Sequence, residues 1–345
     1  MKTEPATPLF SVIILNWNGR HLLEECLDSV LAQNYRDFET ILVDNGSNDG
    51  SVEFLRTRYG DQIHLVPLDT NAGFGGGNNR GVESSRGKWV VFLNNDTQAD
   101  PRWLEELSGA ADRHPDVSVL ACKVLNYYRR DEIDTMGHLL YPDGINRGRG
   151  RLEKDRGQYD REEEVFFPSG CAAAFRKDLL DAIGGFDETF FAYGDDTELG
   201  LRARLFGARC LIVPSAIVYH KYSATGGTYS EFKVYHVERN RVWVLFKYFP
   251  LRWILVSPLY SVARMVLHVT AALRGKGFSG KFTESGSAWV LFRTVLRAYR
   301  DALAGLPSVL AGRRKTRHLR KIPAGQFTEW LRRFRLTARE AAWKE

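Results

Sequence analysis

The sequence has few cysteines, and none of them are spaced as a redox or metal-binding pair. Its 345 residues include four cysteines, with no CxxC pair and no secretory signal at the start. This scarcity argues against a disulfide framework and a structural zinc site, and it predicts a protein of the reducing cytoplasm. The four positions are Cys26, Cys122, Cys171 and Cys210.

Two common catalytic motifs are also missing. No GxxxxGK followed by Ser or Thr is present, which excludes a P-loop nucleotide site. No GxSxG elbow is present, which argues against a Ser/His/Asp hydrolase.

Long uncharged apolar runs are absent as well. In the most apolar stretch, residues 242–273, the longest run without a charge is 11 residues, Trp253 to Ala263. A spanning helix needs about 20 residues, so we expect helices that lie at a bilayer interface. A re-entrant insertion and a helical subdomain packed on the body stay open as alternatives.

Charge is distributed unevenly along the chain. Residues 241–345 carry 21 Lys and Arg against 5 Asp and Glu, a net charge of +16, whereas residues 1–240 carry a net charge of −10. We therefore expect an acidic catalytic domain, 1–240, followed by a basic helical extension, 241–345. We assign the extension to an anionic membrane surface and expect no nucleic-acid partner.

Apolar and β-branched runs alternate with amphipathic stretches in the first half of the chain. Residues 10–15, 39–43 and 89–93 have the composition of buried strands, and helical patterns lie between them. This order predicts an α/β fold with a mostly parallel central sheet and helices on both faces. The alternation stops near residue 125, and we expect residues 126–164 to be mobile or inserted, with a hairpin near residues 141–144.

Polar side chains stand where the predicted strands end, the edge at which open α/β sheets bind ligands. Asn94, Asn95 and Asp96 follow one strand, and Asp96 can coordinate a hard cation that bridges to a diphosphate. Asp44 follows another strand and can accept hydrogen bonds from a ribose or a base. A polar turn is the alternative for Asn94, Asn95 and Asp96, and a cap of the following turn is the alternative for Asp44.

A glycine-rich stretch, NAGFGGGNNRG at residues 71–81, predicts a loop that approaches a phosphate or sugar closely. It imitates a dinucleotide fingerprint, but Asn78 replaces the third glycine and the stretch follows the third strand. We therefore disfavour a nicotinamide cofactor.

Two further features are candidates for chemistry. Asp195, Asp196 and Glu198 open a predicted helix, where one carboxylate can act as a general base; helix capping is the alternative. His220 follows a later strand, and with Asp96, diphosphate oxygens and water it would complete an octahedral site for Mn²⁺ or Mg²⁺. A buried structural histidine is the alternative there.

Taken together, these motifs resemble glycosyltransferase family 2, and most of all its rhamnosyltransferase-like bacterial members, over roughly residues 10–241. The motifs are SVIILNWNG, LVDNGSNDGS, the glycine-rich stretch, FLNNDT, the segment SGCAAAFRKDLLDAIGGFDETFFAYGDDTELGLR and the later His220. The resemblance implies a GT-A fold, a nucleotide-sugar donor, a divalent metal and inversion at the anomeric carbon. It also implies a lipid-linked glycan acceptor, surface polysaccharide synthesis and a place at the cytoplasmic face of the membrane.

The resemblance assigns roles residue by residue. Donor binding falls to Asn16, Asp44, Asn71, Gly73, Asn79, Asn94 and Asn95. Asp96 and His220 match the metal ligands, with Asn94 in place of the first Asp of the DxD motif. Asp196 matches the catalytic base, Asp195 and Glu198 supporting acidic positions, and Gly170 and Cys171 the acceptor pocket. A nucleotidyltransferase and a catalytically silent, membrane-docked scaffold are the competing interpretations.

Overall fold

The computed structural model describes residues 7–222, 230–272, 287–323 and 325–343. Residues 1–6 and parts of the predicted extension, 273–286 and 344–345 among them, lie outside the described residues.

The strands and helices follow in chain order. The strands are β1 (Phe10–Asn16), β2 (Phe38–Asp44), β3 (His64–Pro67), β4 (Trp89–Asn94), β5 (Thr97–Ala99), β6 (Val119–Asn126), β7 (Ile133–Thr135), β8 (His138–Leu140), β9 (Asn146–Gly148), β10 (Glu163–Glu164), β11 (Ala172–Arg176) and β12 (Cys210–His220). The helices are α1 (Arg20–Leu31), α2 (Ser51–Tyr59), α3 (Gly73–Ser84), α4 (Trp103–Arg113), α5 (Lys177–Ile183), α6 (Asp195–Phe206), α7 (Glu231–Tyr248), α8 (Leu251–Ala272), α9 (Ala288–Ala304), α10 (Leu306–Thr316), α11 (Gln326–Arg333) and α12 (Ala338–Trp343).

One mixed sheet organises the body, in the order β10-β12-β6-β11-β4-β1-β2-β3. Strands β3, β2, β1 and β4 are parallel, whereas β11 lies antiparallel between β4 and β6. Strand β12 runs parallel to β6 and also pairs with the short β5. The carboxyl ends of β1, β2 and β4 therefore meet at one edge, as the α/β prediction requires.

Both faces of the sheet are covered, which explains the continuous apolar runs of its strands. In β1, Val12 and Ile14 pack with α1 and α4 on one side, while Ile13 packs with α3, α5 and α6 on the other. A third apolar cluster joins α6 to α7 and α11. All four cysteines are free and buried.

The glycine-rich stretch differs from the prediction, because most of it is helix α3 and not a loop. A Cβ built on Gly81 would lie 2.5 Å from Cγ2 of the buried Ile13. The glycines therefore allow helix α3 to pack closely on strand β1. Composition alone does not distinguish this packing from a loop that binds phosphate.

Residues 126–164 also differ from the predicted insertion, because they pack back onto the body. Strand β7 extends the main sheet, and β8 and β9 form the expected hairpin. The C-terminal segment holds this hairpin through two backbone hydrogen bonds. Leu140 N donates to Phe334 O at 3.0 Å, and Leu336 N donates to Leu140 O at 3.1 Å.

The C-terminal helices carry apolar stripes that face solvent. On α8 the exposed positions recur every three or four residues, namely Leu251, Leu255, Leu259, Val262, Val266 and Val269. On α9 they are Trp289, Phe292, Leu296 and Leu303. The segment Leu251–Ala271 is long and apolar enough to cross a membrane by length and composition, with a mean hydropathy of 1.4.

This length exceeds the longest charge-free run because the segment includes two arginines, Arg252 and Arg264, and the second of them is buried and paired. Arg264 Nε lies 2.8 Å from Asp143 Oδ2, and Arg264 Nη1 lies 2.9 Å from Glu238 Oε1. The division of the chain at residue 240 stays a prediction, and helix α7 runs continuously across it.

Candidate active site

The sheet edge brings four predicted donor-binding residues together. Asn16 pairs with Asp44 across β1 and β2, and Leu15 pairs with Asn94 across β1 and β4. Asn16 Nδ2 donates to Asp44 Oδ2 at 2.9 Å, and Asn95 Nδ2 donates to Asn16 Oδ1 at 2.8 Å. Asn94 and Asn95 line the cavity described below, whereas Asn16 and Asp44 lie buried behind them.

The predicted metal ligands also meet. Because β5 pairs with the end of β12, His220 stands opposite Thr97, and His220 Nε2 lies 3.3 Å from Asp96 Oδ1. The other ring nitrogen, Nδ1, lies 2.7 Å from Asp134 Oδ2. Burial would raise the pKa of Asp134, but Arg151 and His220 bring it down to about 2, so this carboxylate is ionised.

These residues fit a divalent cation. A carboxylate and an imidazole face each other, and a second carboxylate orients the far side of the ring, as is common for metal-binding histidines. Within the described part of the chain, no group of three or more His, Cys, Asp or Glu side chains is placed to hold a metal ion by itself. The remaining positions would fall to water and to oxygen atoms of a diphosphate, which is how Mg²⁺ is often held.

Two of the three predicted donor-binding residues in the glycine-rich stretch reach the cavity, and one does not. Asn71 and Gly73 line it, and Asn45 fixes both, donating to Asn71 Oδ1 at 2.9 Å and to Gly73 O at 3.0 Å. Asn79 has a different position from the one predicted. Its amide donates to Phe186 O at 3.0 Å and accepts from Phe186 N at 2.7 Å, so it ties α3 to the segment after α5.

The acidic pair that opens α6 lines the same cavity. Asp196 Oδ1 accepts from Thr197 N at 2.7 Å, and Asp196 Oδ2 accepts from Gly170 N at 3.3 Å. Gly170 and Cys171 therefore lie beside Asp196, in the cavity wall. Burial, and then the neighbouring Asp196 carboxylate, raise the pKa of Asp195 to about 8.

Glu198 departs from its prediction as a supporting acid of this pair. It is fully buried on another side of α6, with Glu198 Oε2 2.7 Å from Arg202 Nη2 and Glu198 Oε1 2.7 Å from Lys247 Nζ. Tyr248 also donates to it. These cations lower the pKa of Glu198 against the opposing effect of burial, and the residue joins α6 to α7.

One cavity of about 1390 Å³ is lined by many of these polar groups, but not by Asn16, Asp44, Asn79 or Glu198. The positions that it shares with the predictions are Asn71, Gly73, Asn94, Asn95, Asp96, Gly170, Cys171, Asp195, Asp196 and His220. Pairing of β5, β7 and β12 and the start of α6 thus collect side chains that are up to 149 positions apart in sequence.

Sequence reasoning missed three polar residues of this site. Asn45 supports the donor side, Asp134 orients His220, and His138 Nδ1 lies 3.9 Å from Asp196 Oδ2. Burial lowers the pKa of His138 although Asp196 opposes this, which keeps the ring neutral. Asn45 stood within the DNGSNDGS motif, but Asp134 and His138 lie in the segment predicted as an insertion, where no local pattern marks them.

Comparison with known proteins identifies the class. The mixed sheet with helices on both faces is the GT-A fold of nucleotide-sugar glycosyltransferases, and the family described as Glycosyl transferase family 2 matches residues 11–184. The chain belongs to glycosyltransferase family 2 and is a glycosyltransferase.

Relatives of known name support this assignment. An N-acetylglucosaminyl-diphospho-decaprenol L-rhamnosyltransferase of Mycobacterium tuberculosis is 26% identical over 304 residues, which cover 78% of this chain and 95% of that protein. The O-antigen biosynthesis protein RfbC of Myxococcus xanthus is 30% identical over 229 residues, which cover 64% of this chain but only 18% of RfbC.

Solved structures share the fold at low identity. The mannosyltransferase PcManGT from Pyrobaculum calidifontis, in complex with GDP-Man and Mn²⁺, has a TM-score of 0.52 at 20% identity, covering 89% of this chain and 87% of that chain. S. aureus TarS 1-349 in complex with UDP-GlcNAc has a TM-score of 0.52 at 18% identity, covering 90% and 87%.

Proposed function

We propose that this glycosyltransferase moves a sugar such as rhamnose from a nucleotide-sugar donor to a hydroxyl of a lipid-linked saccharide, with inversion and with a divalent cation. The observation that carries the proposal is the meeting of Asp96, His220 and Asp196 in one cavity. Surface polysaccharide synthesis at the cytoplasmic face of the membrane is the matching biological setting, as the names of the relatives suggest.

The donor lies at the sheet edge in this proposal. Asn94, Asn95 and Asn71 offer amide groups to the nucleotide-sugar, while Asp96 and His220 would hold Mn²⁺ or Mg²⁺. When bound there, the cation would offset the negative charge of the donor's diphosphate. Asp134 keeps the imidazole of His220 in the required orientation.

The acceptor side depends on Asp196. Its Oδ2 takes the proton of the attacking hydroxyl, which forms a bond to the anomeric carbon as the bond to the diphosphate breaks, and this single displacement inverts configuration. His138 Nδ1, 3.9 Å from Asp196 Oδ2, is close enough for one hydroxyl oxygen to contact both atoms. The raised pKa of Asp195 favours its protonated form, and a protonated carboxyl group cannot take up the proton.

Membrane association is assigned to the C-terminal helices. Helices α8 and α9 carry exposed apolar stripes, and the last turn of the next helix, α10, contains Arg313, Arg314 and Lys315. Apolar insertion combined with anionic headgroups is how interfacial helices bind bilayers. Co-sedimentation with vesicles containing phosphatidylglycerol tests this, and equal recovery without vesicles would contradict it.

The decisive experiment uses the full chain with a panel of nucleotide sugars and an N-acetylglucosaminyl-diphospho-lipid acceptor, with Mn²⁺, Mg²⁺ or chelator. We expect transfer from one donor only when the cation is present, and a product whose anomeric configuration is opposite to that of the donor by NMR. Transfer that survives the chelator would contradict the metal requirement, and retained configuration would contradict the displacement.

A further inference from the structure

The cavity around Asp96 and Asp196 continues beyond its polar residues. The same space is lined by apolar side chains of α7, α8 and α9, namely Val237, Met265, Val269, Leu291, Phe292 and Val295. Its volume of about 1390 Å³ exceeds the roughly 300–1,000 Å³ of ordinary small-molecule sites. A second, non-polar ligand portion therefore has room beside the donor.

We propose that the space between α8 and α9 binds the first carbon units of the acceptor's hydrocarbon chain. This inference rests on the proposed function, because it takes the acceptor to be lipid-linked. The polar groups of the donor and of the acceptor saccharide find few hydrogen-bond partners among these apolar side chains. A hydrocarbon chain can, since each buried methylene contributes about 0.8 kcal/mol by leaving water.

The outer surface of the same helices supports this occupant. Phe292 lines the cavity and is also 57% exposed, so it stands at the mouth of the space. Val269 on α8 likewise lines the cavity and is exposed, and the ring of the exposed Trp289 stacks on Phe292 with centroids 5.6 Å apart. These apolar side chains at the mouth give a chain anchored in a bilayer a route into the cavity, while its headgroup reaches Asp196.

Buried ion pairs hold α8 in place beside the catalytic residues. Asp143, in the β8–β9 hairpin, pairs with Arg264 on α8 at 2.8 Å, and Arg241 on α7 pairs with Glu238 at 2.7 Å and with Asp143 at 3.6 Å. Met265 follows Arg264 directly and lines the cavity. The apolar wall is therefore fixed relative to His138 of the same hairpin.

Two leucines of α9 provide a matched test. Leu291 lines the cavity, whereas Leu296 is 59% exposed and belongs to the outer stripe. Leu291→Gln and Leu296→Gln are compared with the unmodified chain in one detergent, using two acceptors with the same sugar diphosphate, one with a long polyprenyl chain and one with a short water-soluble chain.

We expect Leu291→Gln to lower kcat/KM for the long-chain acceptor about tenfold and to leave the short-chain acceptor within twofold, because one apolar side chain is replaced by an amide. Leu296→Gln should match the unmodified chain with both. Three results would contradict the hydrocarbon pocket: an equal loss of kcat/KM with both acceptors, no loss for Leu291→Gln, or the same loss for Leu296→Gln. Failure of the unmodified chain to use either acceptor would instead overturn the proposed function.

Discussion

Substitution of Glu198 tests most directly which acidic residues of α6 take part in catalysis and which stabilise the fold. Its side chain is completely buried, and it lies 2.7 Å from both Arg202 and Lys247. Glu198→Gln keeps the shape but removes the charge. Lys247 retains Asp187 as a partner, whereas Arg202 retains only the backbone carbonyl groups that it contacts, Ile183 O at 2.7 Å among them.

Removing one partner of a buried ion pair costs about 3–5 kcal/mol. Because Asp187 still neutralises one cation and the amide can accept one hydrogen bond, we expect about 3 kcal/mol, the lower end of that range. Urea unfolding followed by tryptophan fluorescence measures the change. Glu24→Gln is the control, since Glu24 is 63% exposed and its contact to Arg58 is 3.8 Å, so the cost should stay below about 0.5 kcal/mol.

The pH dependence has a defined sign. The pKa of Glu198 in the folded chain is lowered from the ordinary value of 4.5, so its stabilisation is present above that value and is lost as pH falls through the folded pKa. The stability difference between the unmodified chain and Glu198→Gln should therefore be full at pH 7 and shrink below 4.5. If Glu198→Gln left the free energy of unfolding unchanged but abolished sugar transfer, this reasoning would be refuted and Glu198 would belong with the catalytic residues.

Three further substitutions separate other roles. Asp196→Asn should keep donor binding in a thermal-shift assay but lower transfer by about 10²–10⁴-fold, and normal turnover would contradict its role as base. Asp134→Asn should raise the Mn²⁺ dissociation constant about 10–100-fold in calorimetry with the nucleoside diphosphate, because His220 loses its orienting carboxylate; an unchanged constant would contradict this. Gly81→Ala should lower the free energy of unfolding by about 1–3 kcal/mol by overpacking the α3–β1 contact. Gly109→Ala, whose added Cβ meets only the end of an exposed arginine, should be neutral or stabilising.

Local pattern was sufficient for much of the body. Continuous apolar runs predicted β1, β2 and β4 because both faces of those strands are buried. Helix α6 begins at Asp195 and ends before Gly207, as the acidic start and glycine stop indicate. The family resemblance added the fold and the enzyme class, both of which the comparisons confirm.

Glycine content and acidic clustering were less informative, because each has two physical uses. Glycine permits a ligand or a strand to approach, and only the position of Ile13 against Gly81 shows which applies in α3. Likewise Asp196 and Glu198 lie in one helical turn, but one contacts Gly170 in the cavity and the other contacts Lys247.

The sequence alone indicated the α/β class and the polar strand ends, because these depend on side chains close together in the chain. The residues assigned to bind a cation or accept a proton stay a prediction. Tertiary structure alone decided that Asp134 supports His220, that His138 approaches Asp196 and that α8 and α9 extend the cavity. Those contacts join segments distant in sequence, and the pairing of β7 and β12 with β6 and the packing of the C-terminal helices set their geometry.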